Sequence, residues 1–82
     1  MTSIVPAHDG FLLQFQAVNE GGTTADGVIV EGELKRGMEK VESSQTTITH
    51  LPAESERGGG LYFSQDPRQF DFRVRALGYE EP

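Results

Sequence analysis

Apolar residues recur at every second position in two stretches of the N-terminal half of the chain. The two sets are Phe11, Leu13, Phe15 and Ala17, then Val28, Val30 and Leu34. Because side chains alternate between the two faces of an extended strand, each set lies on one face of a β-strand. Residues 19–27, NEGGTTADG, separate the sets and favour tight or left-handed turns. The segment 11–34 therefore predicts strand, turn and strand, the opening hairpin of a small β-sandwich.

Short strands and turns continue along the rest of the chain. A first strand is predicted at 2–5, where Pro6 closes it, because proline cannot donate to a strand ladder. Later strands are predicted at 41–51, 61–64 and 70–77.

Residues 31–43 fit two structures. Leu34, Met38 and Val41 match a helical stripe, whereas Gly32 and Gly37 each disfavour a helix interior. Two strands joined about residues 36–37 are the preferred interpretation.

These segments predict an all-β fold class, an immunoglobulin-like antiparallel β-sandwich of roughly six to seven strands. Residues 1–82 form one domain, with 79–82 as a frayed tail. The triplet 58–60, GGG, is interpreted as a bulge or flexible connection, because a phosphate loop needs a following Lys-Ser/Thr and a helix. The predicted core is Val5, Leu13, Phe15, Ala17, Val28, Val30, Leu34, Ile48, Leu51, Leu61, Phe63, Phe72, Val74 and Ala76.

Charge and composition argue against several classes of function. The 82 residues carry a formal net charge of −6, and no basic stripe is present to neutralise nucleic-acid phosphates or anionic lipid. Cysteine is absent, which removes disulfides, thiolate metal sites and cysteine nucleophiles. The sequence contains neither an apolar run of about 20 residues nor a signal peptide.

The titratable residues predict no catalytic, cofactor-binding or metal site. His8 and His50 lack ligand spacing, and His8 and Asp9 are adjacent residues expected to point apart. The serines have no nucleophile-elbow context, so the chain is not predicted to be an enzyme. The alternative is a domain that binds calcium or a small ligand through single loop carboxylates, and a shift of the melting temperature at millimolar calcium would favour it. Those carboxylates belong to Asp9, Asp26, Asp66 and Asp71.

Two resemblances involve the turns and strands described above. Residues 15–34, FQAVNEGGTTADGVIVEGEL, are similar to the Asn-Gly and alternating-valine pattern of the immunoglobulin-like cell-adhesion-related domain found in bacteria. The chain more closely resembles an uncharacterised family of small bacterial proteins encoded beside a predicted seven-span membrane protein. The segments that resemble this family are VEGEL (30–34), LPAES (51–55), RGGGLYFSQDPR (57–68) and VRALGYEEP (74–82).

The family resemblance implies an N-terminal membrane anchor that this chain lacks. Basic residues ahead of such an anchor would place the domain outside the cytoplasm, on the periplasmic or extracellular side, while the chain itself is soluble. The expected role is a non-enzymatic interaction or structural module with a protein partner, which the resemblance suggests is an integral membrane protein. The sequence does not fix an oligomeric state.

Three aromatic residues are predicted to form an interaction surface. Tyr62 is out of phase with its apolar neighbours, Tyr79 lies beyond the last core position, and Phe70 would complete the patch. Binding through end loops or by strand addition is expected, with 2–5 and the strand after residues 36–37 as the free edges. Deleting the first strand should then weaken partner capture.

Overall fold

The computed structural model describes the backbone of residues 3–80 and the side chains of residues 3–79. Its strands are β1 (Ser3–Ala7), β2 (Gly10–Asn19), β3 (Ala25–Arg36), β4 (Glu39–Leu51), β5 (Ser55–Phe63) and β6 (Asp71–Glu80), with one 3₁₀ turn at Pro67–Gln69. Thr2 of the predicted first strand and residues 81–82 of the predicted tail lie outside the described residues, whereas Tyr79 and Glu80 belong to β6. Within this range, no helix has the length and apolar character needed to cross a membrane.

The six strands form two antiparallel three-stranded sheets. The first sheet has the order β1-β2-β5, and the second has the order β4-β3-β6. Leu61 and Phe63 of the first sheet pack over Gly32 of the second, where an added Cβ would come within 2.7 Å of Leu61. The predicted all-β sandwich is confirmed, and β1 and β4 are free edges as expected.

The predicted pairing of the opening hairpin is wrong. β2 pairs with β1 and β5, whereas β3 pairs with β4 and β6, so the chain crosses between sheets at residues 20–24. The Asn19 side chain organises this crossing: its Oδ1 accepts from the Gly21 amide at 2.9 Å, and its Nδ2 donates to the carbonyls of Thr23 at 2.9 Å and Leu51 at 3.1 Å. A turn-rich connection reverses the chain without requiring the two strands to be neighbours.

The ambiguous segment 31–43 is two strands, as preferred. β3 and β4 pair in antiparallel register from Ala25 opposite Leu51 to Arg36 opposite Glu39. Gly37 closes the turn with φ +62°, a conformation that residues with a Cβ rarely adopt. One register shift between Leu34 and Lys35 interrupts the ladder.

Most of the predicted core is confirmed. Leu13, Phe15, Val28, Val30, Leu34, Leu51, Leu61 and Phe63 are buried, and Ala17, Ile48 and Val74 pack against them. Val5, Phe72 and Ala76 are corrections, because all three are exposed. Val5 lies opposite Leu12, on the outer face of the first sheet, so its strand phase was misassigned. Ala25, which is buried, and Ile4 and Phe70, which pack against the core, were not predicted.

The glycine triplet is part of a strand. Gly58, Gly59 and Gly60 lie inside β5 and pair in continuous register with Gln16, Phe15 and Gln14. This corrects the interpretation as a bulge or flexible connection. The Phe15 ring lies 2.5 Å from the position that a Cβ on Gly59 would occupy, so this neighbour fills the space of the missing side chain.

Candidate interaction surface

The inner face of β6 is apolar and incompletely covered. Phe72, Val74 and Ala76 lie opposite Leu34, Gly32 and Val30 of β3, and paired residues of an antiparallel ladder share a face. Val74 is half-buried, yet Phe72 is 40% exposed and Ala76 is also exposed. Strand β6 therefore presents an apolar strip that the opposite sheet does not seal.

The open side of this strip at Val74 and Ala76 follows from the length of β1. Strand β1 pairs with β2 only from Gly10 to Gln14, so the 15–19 half of β2 has β5 as its only partner among the described strands. The uncovered region is a side cleft between β2 and β6 with a volume of about 280 Å³. Its apolar lining comes from Phe15, Ala17, Val18, Val28, Val30, Leu51, Val74 and Ala76.

Beyond this cleft, β6 carries two more exposed apolar residues. The register with β3 shifts between Ala76 and Gly78, which leaves Leu77 without a directly opposite partner. Leu77 is 45% exposed and Tyr79 is 60% exposed. Exposed apolar groups that continue along one strand are more informative than scattered ones, because contiguous patches mark interaction sites.

The outer face of β6 is charged. Asp71, Arg73 and Arg75 lie opposite Lys35, Glu33 and Glu31 of β3. Arg75 Nη2 is 3.6 Å from a Glu31 carboxylate oxygen, and Glu33 is 3.8 Å from Lys40 Nζ of β4. Among the described side chains, no carboxylate lies within ion-pair distance of Arg73.

The three aromatic residues predicted as one surface lie in three places. Tyr62 lies on the outer face of the first sheet and donates its hydroxyl to the Asp9 carbonyl at 2.7 Å. Phe70 precedes β6, packs against the core and lies under the Arg36 guanidinium at 4.9 Å. Tyr79 is near the far end of β6, about 30 Å of extended strand from Phe70. Only Tyr79 continues the apolar strip of β6.

Both histidines contact an aspartate, although neither site is enclosed. His8 Nε2 lies 3.2 Å from Asp9 Oδ2, so the expectation that these neighbours point apart is wrong, and the turn residue Asp9 has φ +61°. His50 Nδ1 lies 2.8 Å from Asp26 Oδ1 across the β3–β4 ladder. This pair was not predicted from the sequence, because Asp26 and His50 are far apart in the chain and become neighbours only through the register of the β3–β4 hairpin. Neither ring has a hydroxyl hydrogen-bond partner within the described chain.

The carboxylates near the β5–β6 connection hold local backbone. Glu42 accepts from the amides of Ser64 at 2.9 Å and Gln65 at 3.2 Å. Asp66 accepts from the Arg68 amide and caps the 3₁₀ turn. Hydrogen bonds from the Arg68 guanidinium lower the pKa of Asp66 and raise that of Arg68. In residues 3–79, no three His, Asp or Glu side chains are grouped to hold a metal ion.

Comparison of the chain with protein-family models, curated proteins and solved structures found no match. The family resemblance described above therefore remains a prediction. The described residues form a small six-stranded antiparallel β-sandwich, and this fold defines the class of the protein. Its most distinctive surface is an apolar strip along the last strand.

Proposed function

We propose that this domain is a non-enzymatic protein-interaction or structural module. In its native setting, a membrane anchor holds it outside the cytoplasm, where it works with a neighbouring integral membrane protein. The observation that carries the interaction role is the exposed apolar strip of β6 beside the open cleft. A small domain gains stability by burying such residues, so their exposure costs stability that an interaction can recover. The anchored location is supported by the resemblance of segments 57–68 and 74–82.

The location is tested on the native protein in its own cells. Antibodies raised against the domain should detect the protein in the membrane fraction, and external protease should digest it in cells whose outer permeability barrier has been opened. Recovery in the soluble cytoplasmic fraction, with protection from protease, would contradict the location.

The interaction role is tested by photo-crosslinking in the same membranes. A photoreactive amino acid is placed at Leu77 on β6, at Val5 on β1 and at Met38 in the β3–β4 turn, all exposed positions. A discrete adduct with an integral membrane protein from at least one position is the expected result. Absence of adducts from all three, in protein that is folded and correctly located, would count against the module.

A further inference from the structure

We infer that β6 is the receptor edge for a seventh strand supplied by a partner protein, and that this strand alternates apolar and acidic residues. This inference rests on the proposed interaction role and identifies its site and the chemistry of its partner. The edge that receives the strand consists of Phe72 to Ala76, with their inward apolar and outward basic side chains.

The topology leaves a place for this strand. Immunoglobulin-type sandwiches put the third, sixth and seventh strands in one sheet, with the seventh beside the sixth. Here β3 and β6 are neighbours, and no described strand lies on the other side of β6. A strand added there would cover Phe72 and Val74 and close the open side of the cleft.

The other edges are less suited to strand addition. Strand β1 is short and contains Pro6, which cannot donate a backbone hydrogen bond. Strand β4 presents Ser44 and Thr46 on its inner face, opposite Gly32 and Val30. The free side of β5 borders a polar groove formed with residues 46–50 of β4. Among the described strands, β6 alone combines an unpaired edge with exposed apolar residues, Phe72 and Ala76, on its inner face.

The charges of β6 define the partner sequence. In an antiparallel strand, residues opposite Arg73 and Arg75 are favoured as acidic, the residue opposite Asp71 as basic, and those between them as apolar. From N- to C-terminus, the expected order is apolar, acidic, apolar, acidic, apolar, basic. On its paired side β6 already faces such a sequence, VEGELK at residues 30–35.

A second copy of this chain fits the edge poorly. A twofold pairing of β6 with itself, centred on residue 73, 74 or 75, places arginine opposite arginine on the outer face. Like charges directly opposite each other destabilise a ladder, so the arginines disfavour self-association and favour an acidic strand.

The probe is a fluorescent peptide, VEVELK, which is the 30–35 sequence with valine in place of Gly32. Its controls are the charge-reversed peptide VKVKLE and a VEVELK peptide with alternate backbone amides methylated. Fluorescence anisotropy measures binding to the whole chain, and NMR shifts locate the bound peptide. VEVELK should bind and shift the amides of 72–76, whereas the methylated peptide should not bind, because strand addition requires main-chain hydrogen bonds.

The matched protein variants are Arg73→Glu on β6 and Lys40→Glu on β4. Both change the net charge equally, but only the first lies on the receptor edge. Arg73→Glu should weaken VEVELK about tenfold and reduce its advantage over VKVKLE, because one of the three charge pairs then becomes unfavourable. Lys40→Glu should leave binding within about twofold of the parent. The peptide arms use the unaltered chain, so they remain decisive if a variant fails to fold.

Several results would overturn the inference. One is that VEVELK fails to bind the parent chain, and another is that VKVKLE binds it equally well. A third is that Arg73→Glu and Lys40→Glu change the affinity for VEVELK equally, and a fourth is that the NMR shifts fall on another edge strand. Any one of these results would be sufficient. A concentration-dependent dimer that pairs through β6 would also overturn it, because a second copy would then be the occupant. The interaction role would survive each of these results if crosslinks arise from Val5 or Met38, so the two proposals fail separately.

Discussion

Gly37 and Gly27 adopt positive φ values, +62° and +58°, and an added Cβ at either position would meet no atom within 4 Å. Both positions therefore have room for a side chain, and it is the positive φ of the backbone that favours glycine there. Gly78 offers equal space without positive φ. Because none of these three glycines is crowded, comparing Gly37 with Gly78 isolates the effect of backbone strain.

Gly37→Ala should lower the free energy of unfolding by about 1 kcal/mol, because L-residues are strained in the left-handed region. Gly78→Ala should be neutral or stabilising by about 0.5 kcal/mol, since glycine weakens a strand interior. Urea unfolding of both variants and the parent chain measures the difference. Equal losses of stability would show that the turn conformation is not the constraint at Gly37.

The Asp66 carboxylate makes a second prediction at this scale. It accepts from Arg68 Nε and Nη2, both at 2.9 Å, and these hydrogen bonds hold the pKa of Asp66 below its ordinary value of 3.8. Because the folded pKa is the lower one, the stabilisation is complete above pH 3.8 and is lost as the pH falls through the lowered pKa.

Arg68→Gln should therefore move the pKa of Asp66 upwards and make unfolding less sensitive to acid in this range. An NMR titration of the Asp66 carboxyl carbon measures the pKa directly. Arg73→Gln is the control, since Arg73 lies on the outer face of β6 and is not among the causes of the shift. An unchanged Asp66 pKa in Arg68→Gln would contradict the assigned cause.

At the scale of elements, the sequence predicted where the strands lie better than it predicted which strands pair with each other. The β3–β4 hairpin follows from a glycine that closes a short local turn. The pairing of β2 was not predictable in the same way, because residues 19–27 specify a reversal and not the sheet that the next strand joins. The 58–60 triplet was misinterpreted because its compensating partner, Phe15, is distant in sequence.

That compensation predicts opposite outcomes for adjacent glycines of β5. A Cβ on Gly59 would lie 2.5 Å from the Phe15 ring, whereas one on Gly58 would meet no atom closer than 3.8 Å. Gly59→Ala should cost about 1–3 kcal/mol by overpacking, and Gly58→Ala should be neutral or slightly stabilising. Thermal unfolding of the two variants tests this, and similar melting temperatures would show that the ring moves aside freely.

At the scale of the whole molecule, alternation identifies the inward side of a strand but not whether anything covers it. Phe72 and Ala76 were predicted as core for this reason, and they do lie on the inner face of β6. The exposure of Ala76 depends on where β1 ends relative to β2, which is a long-range property of the fold. The sequence therefore predicted which residues lie on the inner face of β6, but it could not predict that this face is exposed.

The same arrangement predicts how protection from hydrogen exchange is distributed. Strand β3 has partners on both sides, and residues 11–14 of β2 lie between β1 and β5, so nearly every amide there is paired and should exchange slowly. An edge strand directs every second amide away from its only neighbour, so β6 and residues 15–19 of β2 should alternate between slow and fast exchange. Residue-resolved exchange by NMR tests this pattern. If amides of β6 that exchange fast in the free protein become slow when VEVELK is added, those amides are the groups that pair with the seventh strand. If the amides of β6 are already as uniformly protected as those of β3, the edge of β6 is not free in solution.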